Sequence, residues 1–175
     1  MDPVDLRLFR EAMSRFASGV TVVTARRGEE RVGLTASSFV SVSMEPPLIL
    51  VCVAKALQAH EVIESAGAFA VNILGARQLD VALRFAGLKP GLLDRFEGLP
   101  WTTGVSGAPL LSGAIASLEC RLQALHPGGD HTIFVGEVVQ AVISEDDAPL
   151  LYHRRHWHRP EALPFSGPSE NAPDI

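Results

Sequence analysis

The sequence lacks the common signatures of nucleotide, hydrolase and thiol-redox sites. It has no G-x-G-x-x-G after a strand pattern, no Walker A sequence, no G-x-S-x-G and no C-x-x-C pair. These absences argue against a Rossmann site, a P-loop, a nucleophile elbow and a redox dithiol. Any dinucleotide that the protein binds needs a site of another kind.

Excess positive charge and long hydrophobic runs are also missing. A net charge of −5 gives no electrostatic reason to expect nucleic acid or an anionic membrane as a partner. The longest apolar run, residues 48–54, is far shorter than the roughly 20 residues that span a bilayer. The N-terminus has no secretory signal pattern, and Cys52 and Cys120 lie in apolar contexts typical of free thiols. A reducing cytoplasm is the expected compartment.

What is present is sufficient for one folded domain. The chain has 175 residues, of which 47% are apolar and 20% charged, so it can bury a core. We expect one domain over residues 1–158. Proline and small polar residues dominate residues 159–175, which predicts a disordered tail.

The N-terminal stretch predicts a helix that packs on the core. Asp2 is a candidate N-cap and Pro3 a candidate first helical residue. Apolar residues then recur at helical spacing, at Leu6, Phe9, Met13 and Phe16. Further helical patterns cover 58–65 and the region of 79–86.

The rest of the pattern predicts six or seven strands, mostly joined by hairpins. Strand-like runs cover 20–25, a stretch from Arg31, 39–43, 48–53, 69–74, 114–122 and 131–143. In 114–122 the alternation predicts one solvent-exposed face that carries Ser117, Glu119 and Arg121. An antiparallel β-barrel with peripheral helices fits this tally.

Several motifs occur in one order along the chain. Residues 33–53 read GLTASSFVSVSMEPPLILVCV, and the others are SGVTVVTA at 18–25, FAVNIL at 69–74, RFAG at 84–87, GDHTIFVGEV at 129–138 and PLLYHRRHWH at 149–158. Together they resemble the short-chain flavin reductases, the reductase components of two-component flavin-dependent monooxygenases. The resemblance implies a six-stranded antiparallel Greek-key split barrel of the FMN-binding type. It also implies a homodimer with flavin at the subunit interface.

The resemblance further implies an activity. An NAD(P)H-dependent flavin reductase would pass hydride from NADH or NADPH to FMN or FAD and supply the reduced flavin to a separate monooxygenase. Two alternatives stay open. One is a non-catalytic flavin-binding or carrier protein, and the other is a split-barrel flavoenzyme that keeps its flavin tightly bound and acts on a small organic substrate.

The first candidate cofactor-binding residues lie in the T-A-S-S motif. From the residues alone, the hydroxyls of Thr35, Ser37 and Ser38 can simply satisfy backbone groups at a strand edge. The resemblance implies instead that residues 35–38, including Ala36, contact the isoalloxazine edge and the phosphate of the flavin. It also implies cofactor contacts from Cys52 and Val53.

Lys55 is a candidate for the flavin phosphate because it directly follows a buried strand pattern. A lysine at such a position is more often simply solvated. The family tends to carry Ser and Thr soon after this lysine, where this chain has Ala56, Leu57 and Ala59. The departure puts flavin affinity, and the choice between FMN and FAD, in question.

Four further residues are assigned to the flavin pocket by resemblance. Asn72 lies in an apolar strand and needs a partner, since an unsatisfied buried amide costs about 1–3 kcal/mol; a structural partner would serve equally well. Arg84 and Phe85 lie at the end of the helix predicted around 79–86, and their alternative roles are a solvated charge and a core ring. Tyr152 is expected near the cofactor or the dimer interface.

His131 is the candidate catalytic residue. It follows a glycine-containing turn that allows another molecule to approach closely, and Asp130 could orient it. The resemblance places the matching histidine near flavin and nicotinamide, whereas a lone histidine at a strand start is usually structural or exposed. His153, His156 and His158 lack accompanying Cys or carboxylate ligands, so no metal site is predicted.

Overall fold

The computed structural model describes residues 3–144 and 147–162, and the protein is mainly β. The helices are α1 (Leu6–Ser14), α2 (Gln58–Ala66) and α3 (Leu79–Phe85), with a 3₁₀ turn at Ala76–Gln78. The strands are β1 (Ser18–Gly19), β2 (Thr21–Arg27), β3 (Glu30–Ala36), β4 (Phe39–Met44), β5 (Pro47–Ala54), β6 (Ala68–Ile73), β7 (Trp101–Thr103), β8 (Pro109–Leu111), β9 (Ala116–Gly128), β10 (His131–Ile143), β11 (Leu151–His153) and β12 (His156–His158).

One large antiparallel sheet organises the molecule. Its strand order is β3-β2-β6-β9-β10-β5-β4. Two small sheets accompany it, β1-β11-β12 and β7-β8. The prediction of a mainly β protein with peripheral helices is therefore confirmed, but the main sheet has seven strands rather than a clearly closed barrel of six.

The two edge strands of this sheet are neighbours in the chain. β3 ends at Ala36 and β4 begins at Phe39, so Ser37 and Ser38 alone connect them. Three Cα–Cα steps span at most about 11 Å. The sheet therefore curls until its edges meet at this corner, and the corner is the T-A-S-S motif.

Two hydrophobic cores support the corner. The first lies between the sheet and α2 and includes Val51, Val53 and Phe134, all fully buried. The second lies beneath α3, where the rings of Phe85 and Phe96 meet edge to face with their centroids 4.9 Å apart. Burying such aromatic side chains removes a large apolar area from water and fixes the position of α3.

The prediction for the N-terminal helix is wrong in two respects. The helix begins at Leu6 with Asp5 as N-cap, whose carboxylate accepts a hydrogen bond from the Arg7 amide; Asp2 lies outside the described residues. Its apolar stripe does not pack on the core. No residue of α1 is buried, and Phe9 is 51% exposed.

The predicted solvent-exposed face of β9 is correct at Arg121, which is exposed, and wrong at the other two residues. Ser117 and Glu119 are buried, because the segment 104–111 covers this part of the sheet. The Glu119 carboxylate accepts hydrogen bonds from the amide and hydroxyl of Ser106, at 2.7 and 2.8 Å. A Cβ on Gly104 would collide with that carboxylate, so the close approach requires glycine here.

Two other predictions concern the C-terminal tail and membrane-spanning segments. The predicted disordered tail falls largely on residues 163–175, which lie outside the described residues. Within the described ranges, no helix combines the length and the apolar character needed to cross a membrane.

Candidate functional site

The corner between β3 and β4 is held from both sides. Thr21 donates a hydrogen bond from its hydroxyl to the Ala36 carbonyl at 2.9 Å, which fixes the end of β3. Thr35 donates to the Ala82 carbonyl at 2.7 Å and so ties the corner to α3. The Thr35 hydroxyl therefore already donates its hydrogen bond within the protein.

The two serines of the corner differ in what they do. The Ser38 hydroxyl accepts a hydrogen bond from the Cys52 amide and donates to the Cys52 carbonyl, both at 3.1 Å, in place of a strand ladder. Ser37 is exposed, and among the described residues its hydroxyl has no hydrogen-bond partner. Of the three predicted hydroxyl donors, Ser37 is the one left for a ligand.

Ser37 opens onto a groove of about 980 Å³. The groove runs between α1, the corner and the β11-β12 hairpin, and its lining residues are Phe9, Arg10, Met13, Ser14, Phe16, Ala17, Ser18, Gly19, Ser37, Ser38, Phe39, Val40, Tyr152 and Arg155. Four of these are aromatic, and no carboxylate is among them in the described chain. A flat aromatic ligand with anionic groups fits such a surface.

Tyr152 stands between this groove and a smaller cavity. It pairs with Ser18 across β1 and β11, and its ring lies 4.9 Å from that of Trp157, centroid to centroid. The smaller cavity, of about 250 Å³, shares Ser37 and Tyr152 with the groove. Tyr152, which was expected near the cofactor or the dimer interface, thus lines two openings of the surface.

β5 links the corner to the other candidates. Its side chains alternate, so Val53 is fully buried in the core and can offer a ligand its backbone alone. Cys52 and Ala54 face the other way and are partly exposed. His131 is directly opposite Ala54, and opposed residues share a face, so Cys52 and His131 lie on one face of the sheet.

Lys55 and His131 lie together at one end of β5. The Lys55 amide donates to the Asp130 carbonyl at 3.0 Å, and its ammonium donates to the Gly129 carbonyl at 2.7 Å. Lys55 lies three residue steps beyond Cys52, which is about 10 Å along a strand. This pair therefore lies near the corner.

Asp130 contacts His131 as predicted. Its Oδ1 lies 2.7 Å from Nδ1 of the imidazole. The hydrogen bond from His131, and then the charge of that ring, lower the pKa of Asp130 below its ordinary 3.8. The carboxylate therefore stays ionised and holds the ring orientation.

Asn72 does not belong to the groove. It is fully buried, and its amide donates to the Val22 carbonyl at 3.1 Å and the Thr24 hydroxyl at 3.2 Å. Its carbonyl oxygen accepts from the Leu111 amide at 2.9 Å and the Ser117 hydroxyl at 3.0 Å. The expected partners exist, but they are structural, and no part of the amide is left for flavin.

Arg84 and Phe85 are also engaged within the protein. Arg84 donates to Asp80 and to the Glu97 carbonyl, both at 2.7 Å. The Phe85 ring is 1% exposed in the second core, so it cannot contact a ligand directly. These two residues help to position α3 behind the corner.

A separate polar cleft lies on the far side of β3. It has a volume of about 260 Å³, and its lining includes Arg31, Gln58, Asp94 and Arg95. Leu57 and Ala59 also line it, at two of the positions where the chain departs from the resemblance. This cleft is the rival location for an anionic ligand.

Sequence reasoning missed the α1 side of the groove. Phe9, Phe16 and Arg10 line it, as does Arg155 from the β11-β12 turn. The apolar stripe of α1 was the available signal, but a stripe does not say whether it faces a core or a ligand. As to metals, no group of three or more His, Cys, Asp or Glu side chains in the described ranges could hold an ion.

Comparison with known proteins now identifies the class. A family model described as the flavin reductase like domain matches residues 13–161. The chain belongs to this family, as its motifs predicted.

Particular relatives narrow the comparison. The chain is similar to the reductase component of 4-hydroxyphenylacetate 3-monooxygenase from Thermus thermophilus, with 46% identity over 151 residues that cover 86% of this chain and 94% of the relative. It is 42% identical to an NADH-dependent FAD reductase from Streptomyces globisporus over 169 residues, covering 95% and 85% of the two chains.

A solved structure shows the same fold. The Streptomyces globisporus NADH:FAD oxidoreductase SgcE6, in complex with NAD and FAD fragments, superposes with a TM-score of 0.83 at 40% identity. The match covers 97% of this chain and 98% of that one.

Proposed function

We propose that this protein is an NAD(P)H-dependent flavin reductase, which binds FMN or FAD in the groove at Ser37 and supplies reduced flavin to a partner monooxygenase. Family membership and the names of the relatives support this activity. The observation that carries the site is the Ser37 hydroxyl, which has no partner among the described residues and opens onto an aromatic groove whose described lining contains no carboxylate.

The residues of the groove have a limited chemical task. When bound, the reduced nicotinamide provides the hydride and the flavin accepts it, so the protein needs no nucleophile of its own. Phe9, Phe16 and Phe39 exclude water, and Ser37 donates a hydrogen bond to an acceptor on the flavin. The backbone of residues 36–38 and that of Val53 complete the contacts.

His131 has the proposed role of positioning the nicotinamide. It lies on the same face as Cys52, and Asp130 orients its ring. His131→Ala should lower kcat/KM for NAD(P)H about tenfold, with little change in Tm because the side chain is partly exposed. Unchanged turnover would remove the assignment.

A second copy of the chain would complete the site. Apolar side chains of β4 and of the segment after α1 are exposed, with Phe16 at 71%, Val40 at 52% and Met44 at 79%. A homodimer would bury this surface and place the groove at the subunit interface. Light scattering coupled to size exclusion should give about twice the chain mass of 18.8 kDa, and a monomer would contradict the dimer.

Two finer assignments belong to the same proposal. The curled sheet, with its edges meeting at Ser37 and Ser38, corresponds to the split barrel of the FMN-binding type. The two free cysteines suit a reducing cytoplasm.

The test is oxidation of NADH and NADPH by the purified protein with FMN, FAD or no added flavin. Oxidation that saturates with added flavin is the expected result, and it also settles both cofactor preferences. Flavin binding without oxidation would favour a carrier. Protein that purifies with stoichiometric flavin and ignores added flavin would favour a flavoenzyme with its own organic substrate.

A further inference from the structure

Two arginines on the groove have no partner in residues 3–144 and 147–162. Arg10 of α1 and Arg155 of the β11-β12 turn both line the groove, and within the described residues neither guanidinium makes a hydrogen bond or an ion pair. Most other arginines are engaged; Arg27, for example, bonds both Glu30 and Glu61. In a chain of net charge −5, this groove is a local concentration of unpaired positive charge.

Arg155 also occupies an unfavourable backbone position. Arg154 and Arg155 form the two-residue loop between β11 and β12, with φ values of 48° and 64°. Both angles lie in the left-handed region, which such a hairpin turn requires and which Asn and Gly adopt far more readily. An arginine at either position therefore has a conformational cost that glycine or asparagine would avoid.

The direction of the Arg155 side chain supplies a reason for the cost at this position. Arg155 extends to the groove that also contains Ser37 and Tyr152, whereas Arg154 does not line it. A guanidinium binds phosphate oxygens through paired N–H donors. With no carboxylate in the described lining to compete, an anion is the fitting partner.

We propose that Arg155, assisted by Arg10, binds a phosphate group of a flavin or nicotinamide nucleotide in the groove. The proposal rests on the proposed function and adds a subsite to it. It also addresses a departure from the family resemblance. Ala56, Leu57 and Ala59 stand where the resemblance implies hydroxyl donors for phosphate, whereas the arginines supply donors from α1 and the β11-β12 turn, on the groove itself.

The strained turn provides a matched pair of variants. Arg155→Gly and Arg154→Gly each replace a left-handed arginine by glycine, so each should raise Tm by about 2–4 °C. Arg154→Gly keeps the backbone hydrogen bond from residue 154 to the Ser14 carbonyl. Only Arg155→Gly removes a groove cation. Replacing a purely structural residue lowers the stability of the fold. Replacing Arg155 by glycine should instead lower the affinity for phosphate while it raises Tm.

The first readout is binding without turnover. Isothermal titration with inorganic pyrophosphate should show about tenfold weaker binding to Arg155→Gly than to wild type, and no change for Arg154→Gly. Arg155→Lys should retain part of the affinity because it keeps the charge. Equal pyrophosphate binding by wild type and Arg155→Gly, or none by either, would overturn the proposal.

The second readout distinguishes the source of the phosphate. If the flavin supplies it, Arg155→Gly should raise the KM for FMN and FAD about tenfold and leave that for riboflavin unchanged. If the nicotinamide dinucleotide supplies it, the KM for NADH or NADPH should rise with every flavin. No KM change would overturn the subsite, whereas wild type that binds pyrophosphate through Arg155 but oxidises nothing would refute the reductase function alone.

Discussion

Two groups of polar side chains on this protein look alike in the sequence and differ in the structure. Around Asn72 every hydrogen-bonding position of a buried amide is filled by the protein. At Ser37 the hydroxyl opens onto a groove and has no partner in the part of the chain that the structure describes. The difference shows that saturation by internal partners separates a structural polar group from a candidate ligand-binding one.

The largest expected effect is on stability, at Asn72, whose hydrogen-bonding positions are all filled by the protein. Asn72→Ala removes four hydrogen bonds and leaves buried groups of β2, β8 and β9 unpaired, at a cost of about 3 kcal/mol in unfolding free energy. Thermal unfolding should show a Tm lower by about 6–12 °C.

Flavin affinity provides the control for this variant. At a temperature where Asn72→Ala is folded, its Kd for FAD should equal that of wild type. A higher Kd for FAD with an unchanged Tm would instead place Asn72 in the cofactor site and contradict the comparison.

The two cysteines sharpen the same contrast. Burial, and to a smaller extent the charge of Glu119, raise the pKa of the Cys120 thiol to about 12, so at pH 8 roughly one thiol in ten thousand is ionised. Cys52 is partly exposed on the face that carries His131. In the native protein, iodoacetamide should modify Cys52 at least about a hundredfold faster than Cys120, as followed by peptide mass spectrometry.

Bound FAD should slow the iodoacetamide modification of Cys52 and leave that of Cys120 unchanged. If saturating FAD leaves the modification rate of Cys52 unchanged, the flavin does not cover this face of β5. That result would argue for the rival cleft at Arg31.

The adjacent serines allow the most closely matched comparison. Ser37→Ala should weaken FAD binding about tenfold and change the unfolding free energy by less than about 0.5 kcal/mol, since its hydroxyl has no partner in the described protein. Ser38→Ala should lower the unfolding free energy by about 1 kcal/mol, because two hydrogen bonds to Cys52 are lost. Fluorescence titration and urea unfolding measure the two quantities, and the reverse pattern would refute the assignment.

The smallest effect concerns Asp94, a satisfied carboxylate in the rival cleft. The Phe96 amide and, to a smaller extent, Arg31 lower its pKa below the ordinary 3.8. Its stabilisation is therefore fully present above pH 3.8 and is lost as the pH falls through the lower folded-state pKa.

Asp94→Asn should lower the unfolding free energy at pH 7 by about 0.5 kcal/mol, because an exposed ion pair is screened by solvent. The difference from wild type should vanish in acid. FAD affinity should stay unchanged, and a lower affinity would favour this cleft as the flavin site.

The sequence predicted the strands and the location of the corner well. Alternation marks β4, a continuous apolar run marks β5, and turn residues bound both strands. The motif of residues 35–38 indicated the corner, but periodicity cannot say which of its hydroxyls bonds the protein. That distinction depends on Ala82 and Cys52, which only the fold brings close.

Other features were beyond sequence reasoning for a similar reason. The stripe on α1 has the same periodicity whether it meets a core or a groove. In the sequence, Ser117 and Glu119 of β9 fit a solvent-exposed face. In the structure, the segment 104–111 covers them. Arg155 became a candidate through its backbone angle and its place on the groove, neither of which the Arg-Arg pair reveals by itself.

A structure of the protein in complex with FAD would test the central claim most directly. The account predicts the isoalloxazine in the groove, in contact with Ser37 and on the same side of the sheet as Cys52 and His131. Flavin bound in the cleft lined by Arg31 and Asp94, with the groove filled by the protein itself, would contradict it.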